Sequence, residues 1–186
     1  YRLSYKKDRK GLDLRFFAGR FLYNETTRNY NFKMSSWRGA DDYLFDGIYL
    51  GRNEVEGLWS RQMLVRDGGF ITPMSLGQSG KWLAAVHISS DNPTPIPIRP
   101  FFNIGTYEGI NRVFPDIKNQ FMYEGGLTFS LVKGIVEVHF PLFNSADIQR
   151  TLDVNNVKFA EKIRFVLDLS KLSFDQLRTR IINSIR

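Results

Sequence analysis

Apolar residues recur at every second position along most of this chain. No apolar run approaches the ~18 residues that a membrane-spanning helix needs. Leu12, Leu14, Phe16 and Ala18 alternate with Asp13 and Arg15. Tyr30, Phe32 and Met34 alternate with Asn31, Lys33 and Ser35. Trp82, Ala84, Val86 and Ile88 alternate with Leu83, Ala85, His87 and Ser89. The pattern continues through Ile96–Ile104, Leu127–Leu131, Val136–Leu142 and Ile163–Leu169. Less regular strands are expected from Ile48 and over residues 57–66. Turn chemistry falls at Asn24–Thr27, at Asp91-Asn92-Pro93 and at Lys133-Gly134. The expectation is an all-β, antiparallel, up-and-down sheet of about eight strands, closed or partly closed into a barrel.

With their flanks the strands match the ~9–11 residues of a tilted bilayer crossing, and they exceed the usual mode of about 5–6. Long hydrophilic connectors alternate loosely with short turns, as in outer-membrane barrels. A soluble sheet with one wet face produces the same alternation, so period alone leaves both readings open. Asp13, Arg15, Lys33, Arg99, Glu137, His139, Arg164 and Asp168 mix both signs on the face opposite the aliphatic one. In a small barrel that face is the inner wall, where charges have to be paired.

The period changes at the end. Ser173 and Gln176 form a capping-box pattern, and Phe174, Leu177, Ile181, Ile182 and Ile185 share one helical face. Arg178, Arg180 and Arg186 take the other side. Residues 1–172 are therefore read as the barrel segment and 173–186 as a short amphipathic helix. That helix either packs on the sheet or lies in a membrane interface.

The 186 residues carry 26 Lys and Arg against 19 Asp and Glu, a net charge of +7. The basic residues are scattered rather than clustered, which argues against nucleic acid and suits anionic lipid heads equally well. Aromatics at 15% exclude a disordered chain. The absence of cysteine excludes disulfides, thiolate zinc sites and cysteine nucleophiles. Tyr1 is expected to be an internal point of a longer protein, because residues 1–6 already read as the end of a strand.

Candidate chemistry is sparse. His87 and His139 are the only histidines. Glu137 and His139 share a strand face and could form a metal or acid–base pair, but a hydrogen-bonded pair in a polar wall is the plainer reading. Asp41, Asp42, Asp46, Asn53, Glu54 and Glu56 form an acidic loop able to hold calcium, though without EF-hand spacing. Gly68-Gly69 and Gly125-Gly126 lack phosphate-loop spacing. Asn24-Glu25-Thr26 is a formal glycosylation sequon. No catalytic, cofactor-binding or metal-ligating residue is expected, and no cofactor.

Three stretches carry a resemblance. They are Asp42–Asp46 running to Leu50–Glu54, Gly57–Gln62 running to Asp67–Phe70, and Val136–Leu142 together with Phe159–Phe165. Together they resemble the C-terminal region of large bacterial M1-family, gluzincin-type metallopeptidases, across essentially the whole chain. The resemblance implies an outer-membrane β-barrel region behind a peptidase module in a Gram-negative envelope. That module's zinc site has no counterpart here, so no enzymatic activity is expected of this segment. The partners implied are outer-membrane lipid, the upstream peptidase module and other envelope proteins. Ser36-Trp37-Arg38-Gly39 resembles a loop motif of Omp85-like assembly and export barrels, with Ala40 where an aromatic is expected. A soluble lipocalin-like binding module would need the aliphatic faces inward and Asp13, Glu137 and Arg164 outward.

Overall fold

The computed structural model describes residues 1–5, 10–23, 31–36, 56–94, 96–117 and 120–168. Five long strands dominate. They are β2 (Gly11–Arg20), β5 (Trp82–Ser90), β6 (Ile98–Tyr107), β7 (Met122–Val132) and β8 (Val136–Asn144), each 9 to 11 residues long. Two shorter strands flank them, β1 (Arg2–Ser4) and β9 (Arg164–Leu167). The seven form one sheet in the order β1-β2-β5-β6-β7-β8-β9, and every adjacent pair is antiparallel. Among the described residues the sheet does not close on itself. β3 (Phe32–Lys33) and β4 (Gln78–Ser79) form a separate two-stranded ladder.

The connections are unequal. The β1–β2, β5–β6 and β7–β8 connections are short and lie at one end of the sheet, and Gly134 supplies the positive φ of 73° that the last of them needs. At the other end the connectors span residues 21–81, 108–121 and 145–163. The last holds α1 (Ala146–Val154) and α2 (Phe159–Lys162), which corrects the all-β expectation. α1 escapes a sequence reading because its buried face shows only Ile148 and Leu152 as apolar signal, too short a pattern to establish a period. The strand expected over 57–66 is also absent. Gly57, at φ 84°, leads into a 3₁₀ turn over Trp59–Arg61, and the Ser60 hydroxyl donates back to the Gly57 carbonyl at 2.8 Å. The C-terminal helix expected over 173–186, the strand from Ile48 and the Asn24–Thr27 turn lie outside the described residues.

The sheet curls. β2 and β7 are three ladder steps apart, about 14 Å in a flat sheet. Yet Lys133, in the β7–β8 turn, reaches Asp13 of β2 at 2.6 Å. On the concave side lies an in-folded part of the long β2–β5 connector. Met34, Phe70, Met74 and Leu76 from that segment pack with Leu83, Ala85, Tyr107 and Met122 of the wall, and with Ile148 and Leu152 of α1. A smaller cluster joins Met63 and Ile71 to Phe101 and Val166.

Two adjacent glycines test this sidedness. A Cβ on Gly126 would sit 2.1 Å from the Phe140 backbone oxygen, whereas one on Gly125 would meet only the Phe143 ring, at 2.2 Å. Gly126→Ala should therefore destabilise by about 1–3 kcal/mol, because backbone has to move. Gly125→Ala should cost less, because a side chain can turn away. Urea unfolding of the two variants checks the order.

Candidate functional site

The concave wall is polar because the alternation places one residue set there. Inward positions include Asp13 and Arg15 on β2, His87 and Ser89 on β5, Arg99, Phe101 and Asn103 on β6, Glu124, Thr128 and Ser130 on β7, Glu137 and His139 on β8, and Arg164 on β9. Asp13, Arg15, Arg99, Glu137, His139 and Arg164 are thus brought to one surface, as their parity predicts. Lys33 is not part of it. It belongs to β3 in the small ladder, where its backbone amide donates to Asp67 at 3.0 Å. Asp168 follows β9, and its backbone amide donates to the Ile135 carbonyl at 2.8 Å.

At the short-turn end the wall is an ion network. The Arg99 guanidinium contacts Asp13 at 2.6 Å, Asp91 at 2.8 Å and Glu137 at 3.4 Å. Lys133 contacts Asp13 at 2.6 Å and Asp91 at 3.1 Å. Arg2 reaches Asp13 at 2.9 Å and also pairs with Asp91. Three carboxylates therefore face three cations drawn from β1, β2, β6, β8 and two turns. Burial disfavours the charged form of Asp91, but Lys133, Arg2, the Gly11 amide and Arg99 outweigh it and hold the carboxyl down at about 2.

Farther along the wall Glu124 is completely buried. Its two oxygens accept the backbone amides of Ile71 at 2.5 Å and Thr72 at 2.9 Å, and the Asn103 side-chain amide donates to it at 2.6 Å. Asn103 also donates to the Gly69 carbonyl at 3.3 Å. One carboxylate thus clamps the in-folded segment to the wall through its main chain. Ser35 adds a hydrogen bond to the Thr72 carbonyl at 2.8 Å.

Glu137 and His139 take separate hydrogen-bond partners. Glu137 accepts from Ser130 at 2.9 Å and from the Gly134 amide at 3.1 Å, besides its contact with Arg99. The His139 ring pairs with the Thr128 hydroxyl at 2.9 Å, and His87 pairs with Asn103. The Phe101 ring lies between the two histidines, with both centroid distances 6.3 Å. Among the described residues no group of three or more His, Cys, Asp or Glu is placed to hold a metal ion. Asp41, Asp42, Asp46, Asn53 and Glu54 of the acidic loop lie outside those residues. Glu56 is exposed, on the rim of a cavity of about 470 Å³ at the long-connector end, whose lining also includes Arg61, Met74, Leu152, Glu161 and Arg164.

Glu124, Asn103 and Asp91 are the residues that sequence reasoning overlooks. Glu124 has the parity of Thr128 and Ser130, so extending the β7 alternation back through the two glycines would have found it. Asp91 reads as a turn residue, and nothing local marks it as the partner of three cations. Comparison with known protein families, curated proteins and solved structures finds no match.

Arg99→Ala should cost about 3–5 kcal/mol of stability, the range for leaving buried charges unpaired. Lys133→Ala should cost no more than about 1 kcal/mol, because its side chain is 42% exposed. Chemical denaturation separates the two. Asp91 has a depressed folded-state pKa, so its contribution is complete above its ordinary value near 3.8 and is lost as pH falls through about 2. In Asp91→Asn that part of the acid dependence should vanish from a pH series of denaturation midpoints. Glu124→Ala leaves two backbone amides without their acceptor, at about 1–3 kcal/mol each. Trypsin should then cut faster after Arg66, while the strands remain protected.

Proposed function

We propose that this chain is a non-catalytic outer-membrane β-barrel region, of the kind that follows the peptidase module in M1-family metallopeptidases, and that it anchors that module at the cell envelope. The observation that carries the reading is the inversion of the sheet's faces. The outward positions of β2 from Leu12 to Ala18 are Leu, Leu, Phe and Ala, and those of β5 from Trp82 to Ile88 are Trp, Ala, Val and Ile. β6 presents Ile98, Pro100, Phe102 and Ile104, and β7 presents Tyr123, Gly125, Leu127, Phe129 and Leu131. β8 presents Val136, Val138, Phe140 and Phe143, and β9 presents Phe165 and Leu167. Among the described strands the one charge of that parity is Arg20, at the last position of β2, although Phe16 is 71% exposed and Leu131 65%. Water-facing sheets expose polar side chains, and a continuous apolar face of this extent is what a bilayer solvates.

Three further features support it. Strands of 9–11 residues suit a tilted crossing. Short turns collect at one end and long connectors at the other, as in outer-membrane barrels. No described helix is long and apolar enough to cross a membrane, so strands would make the crossing. The peptidase context rests on the sequence resemblance. A lipocalin-like cavity would need the opposite orientation of both faces.

A second reading, an Omp85-like assembly barrel, draws support from the buried Met34-Ser35-Ser36 strip on the concave face. It leads directly into Trp37-Arg38-Gly39, which lies outside the described residues. Loss of other outer-membrane proteins on depletion of this one would favour it.

Fractionation tests the main reading. The full-length protein should pellet with outer membranes and need detergent for release; recovery in the soluble fraction would sink the proposal. Phe16→Lys gives a sharper measure. On a lipid-facing strand it should reduce folding stability in vesicles by about 2–4 kcal/mol, whereas at a site exposed to water the effect stays within roughly 0.5 kcal/mol.

A further inference from the structure

At the long-connector end of β2 and β5 the apolar outer face gives way to charge. Arg20 is the ladder partner of Trp82, and on the other side the Glu108 amide donates to the Trp82 carbonyl at 3.2 Å. Arg20, Trp82 and Glu108 therefore share one row of outward parity. Two more cations join it. Lys81 Nζ and Arg112 Nη2 converge on the same Glu108 oxygen, at 3.1 and 3.0 Å. The turn at Gly109, with φ of 83°, lays the Arg112 side chain back over the glycine, where a Cβ would meet Arg112 Cδ at 2.9 Å.

This cluster is unbalanced. The Lys81 hydrogen bond holds the Glu108 carboxyl below its ordinary value, so it stays ionised and offsets one of the three cations. Lys81 and Arg112 are nonetheless exposed, and Arg20 is exposed with no ion-pair partner among the described residues. Two positive charges are left over beside Trp82, whose indole is also exposed. Tryptophan at the border of an apolar face takes the headgroup level of a bilayer. Guanidinium forks and an ammonium at that level suit phosphate oxygens. A phosphomonoester carries about −1.5 to −2 at neutral pH, which matches the surplus better than the single charge of a phosphodiester.

We infer that Arg20, Lys81 and Arg112, arranged around Trp82, form a headgroup site for a phosphomonoester lipid in the leaflet at the long-connector end. The inference rests on the membrane reading above and names the lipid that this face selects. An acidic protein would meet the same cations. A lipid fits better because the rows directly beneath, Ala18 with Ala84 and Phe16 with Val86, are apolar and continue the surface along the path of an acyl chain.

Quenching by brominated lipid tests it. The whole polypeptide is folded into phosphatidylcholine vesicles in which a fixed fraction of the lipid is brominated phosphatidic acid, phosphatidylglycerol or phosphatidylcholine. Bromine quenches nearby indoles, and the Trp82 signal is the difference between the parent and Trp82→Phe. Phosphatidic acid should quench Trp82 most and phosphatidylcholine least. A cation near the headgroup is worth a factor of about five in relative affinity, so Arg20→Gln should lower the preference for phosphatidic acid roughly fivefold, and Arg20→Gln with Lys81→Gln further. Arg150→Gln removes one charge from α1 and should leave the preference unchanged; an equal fall there means diffuse attraction and overturns the site. Phosphatidylglycerol bound as well as phosphatidic acid overturns the phosphomonoester. Equal quenching by all three lipids overturns the site and leaves the membrane reading standing, whereas no Trp82 quenching by any of them overturns both. A preference abolished by inorganic phosphate, but not by chloride of matching ionic strength, assigns the cations to the free ion and overturns the lipid.

Discussion

The structure depends on Arg99. A guanidinium only 11% exposed needs anions around it, and it has three, on β2, in the β5–β6 turn and on β8. Those partners are separated along the sheet, so satisfying one side chain bends the strands between them. The curl makes a concave wall. The wall is where Asn103 and Glu124 lie near enough to the in-folded segment to hold its backbone. Curvature, concave wall and clamp follow from one requirement, that a buried charge be paired. The network is internally balanced, three cations against three carboxylates, so the chain's surplus of +7 resides elsewhere.

The same requirement accounts for the outer face. Once the charged parity is committed inward, the aliphatic parity has nowhere to go but out. A soluble sandwich solves the problem the other way round, with charges in water and aliphatic side chains meeting across a core. Here the core is built from Met34, Phe70, Met74 and Leu76, none of them on the long strands, together with the few apolar residues of inward parity such as Leu83, Tyr107 and Met122. The in-folded segment supplies an interior that the sheet's own aliphatic residues do not fill. Glycine makes room for it: a Cβ on Gly105 would lie 2.5 Å from the Met34 sulfur.

Legibility in the sequence followed period and separation. Strand parity was readable wherever four or more alternations ran together, as in Trp82–Ser89 and Val136–Leu142, because period two has one structural meaning. Where the alternation was brief or broken by glycine it failed. Glu124 stands before Gly125-Gly126, and the wall's central carboxylate therefore went unseen. α1 failed for a related reason, since two apolar residues four apart do not define a face. Residues 57–66 misled because Trp59, Met63 and Val65 imitate alternation, while Gly57 starts a 3₁₀ turn instead.

The sequence by itself determined that this chain makes long antiparallel strands with one charged and one aliphatic face, because side-chain direction in a strand depends only on parity. It also determined where the tightest turn falls, at Lys133-Gly134. Which face is enclosed was decided only by the tertiary structure. Parity is symmetric between the two sides of a sheet, and the choice is made by contacts across the chain such as Arg99 to Asp13 and Lys133 to Asp13, 86 and 120 residues apart. The placement of residues 62–76 against the wall is likewise tertiary, because backbone amides held by a buried glutamate leave no mark in the residues that carry them.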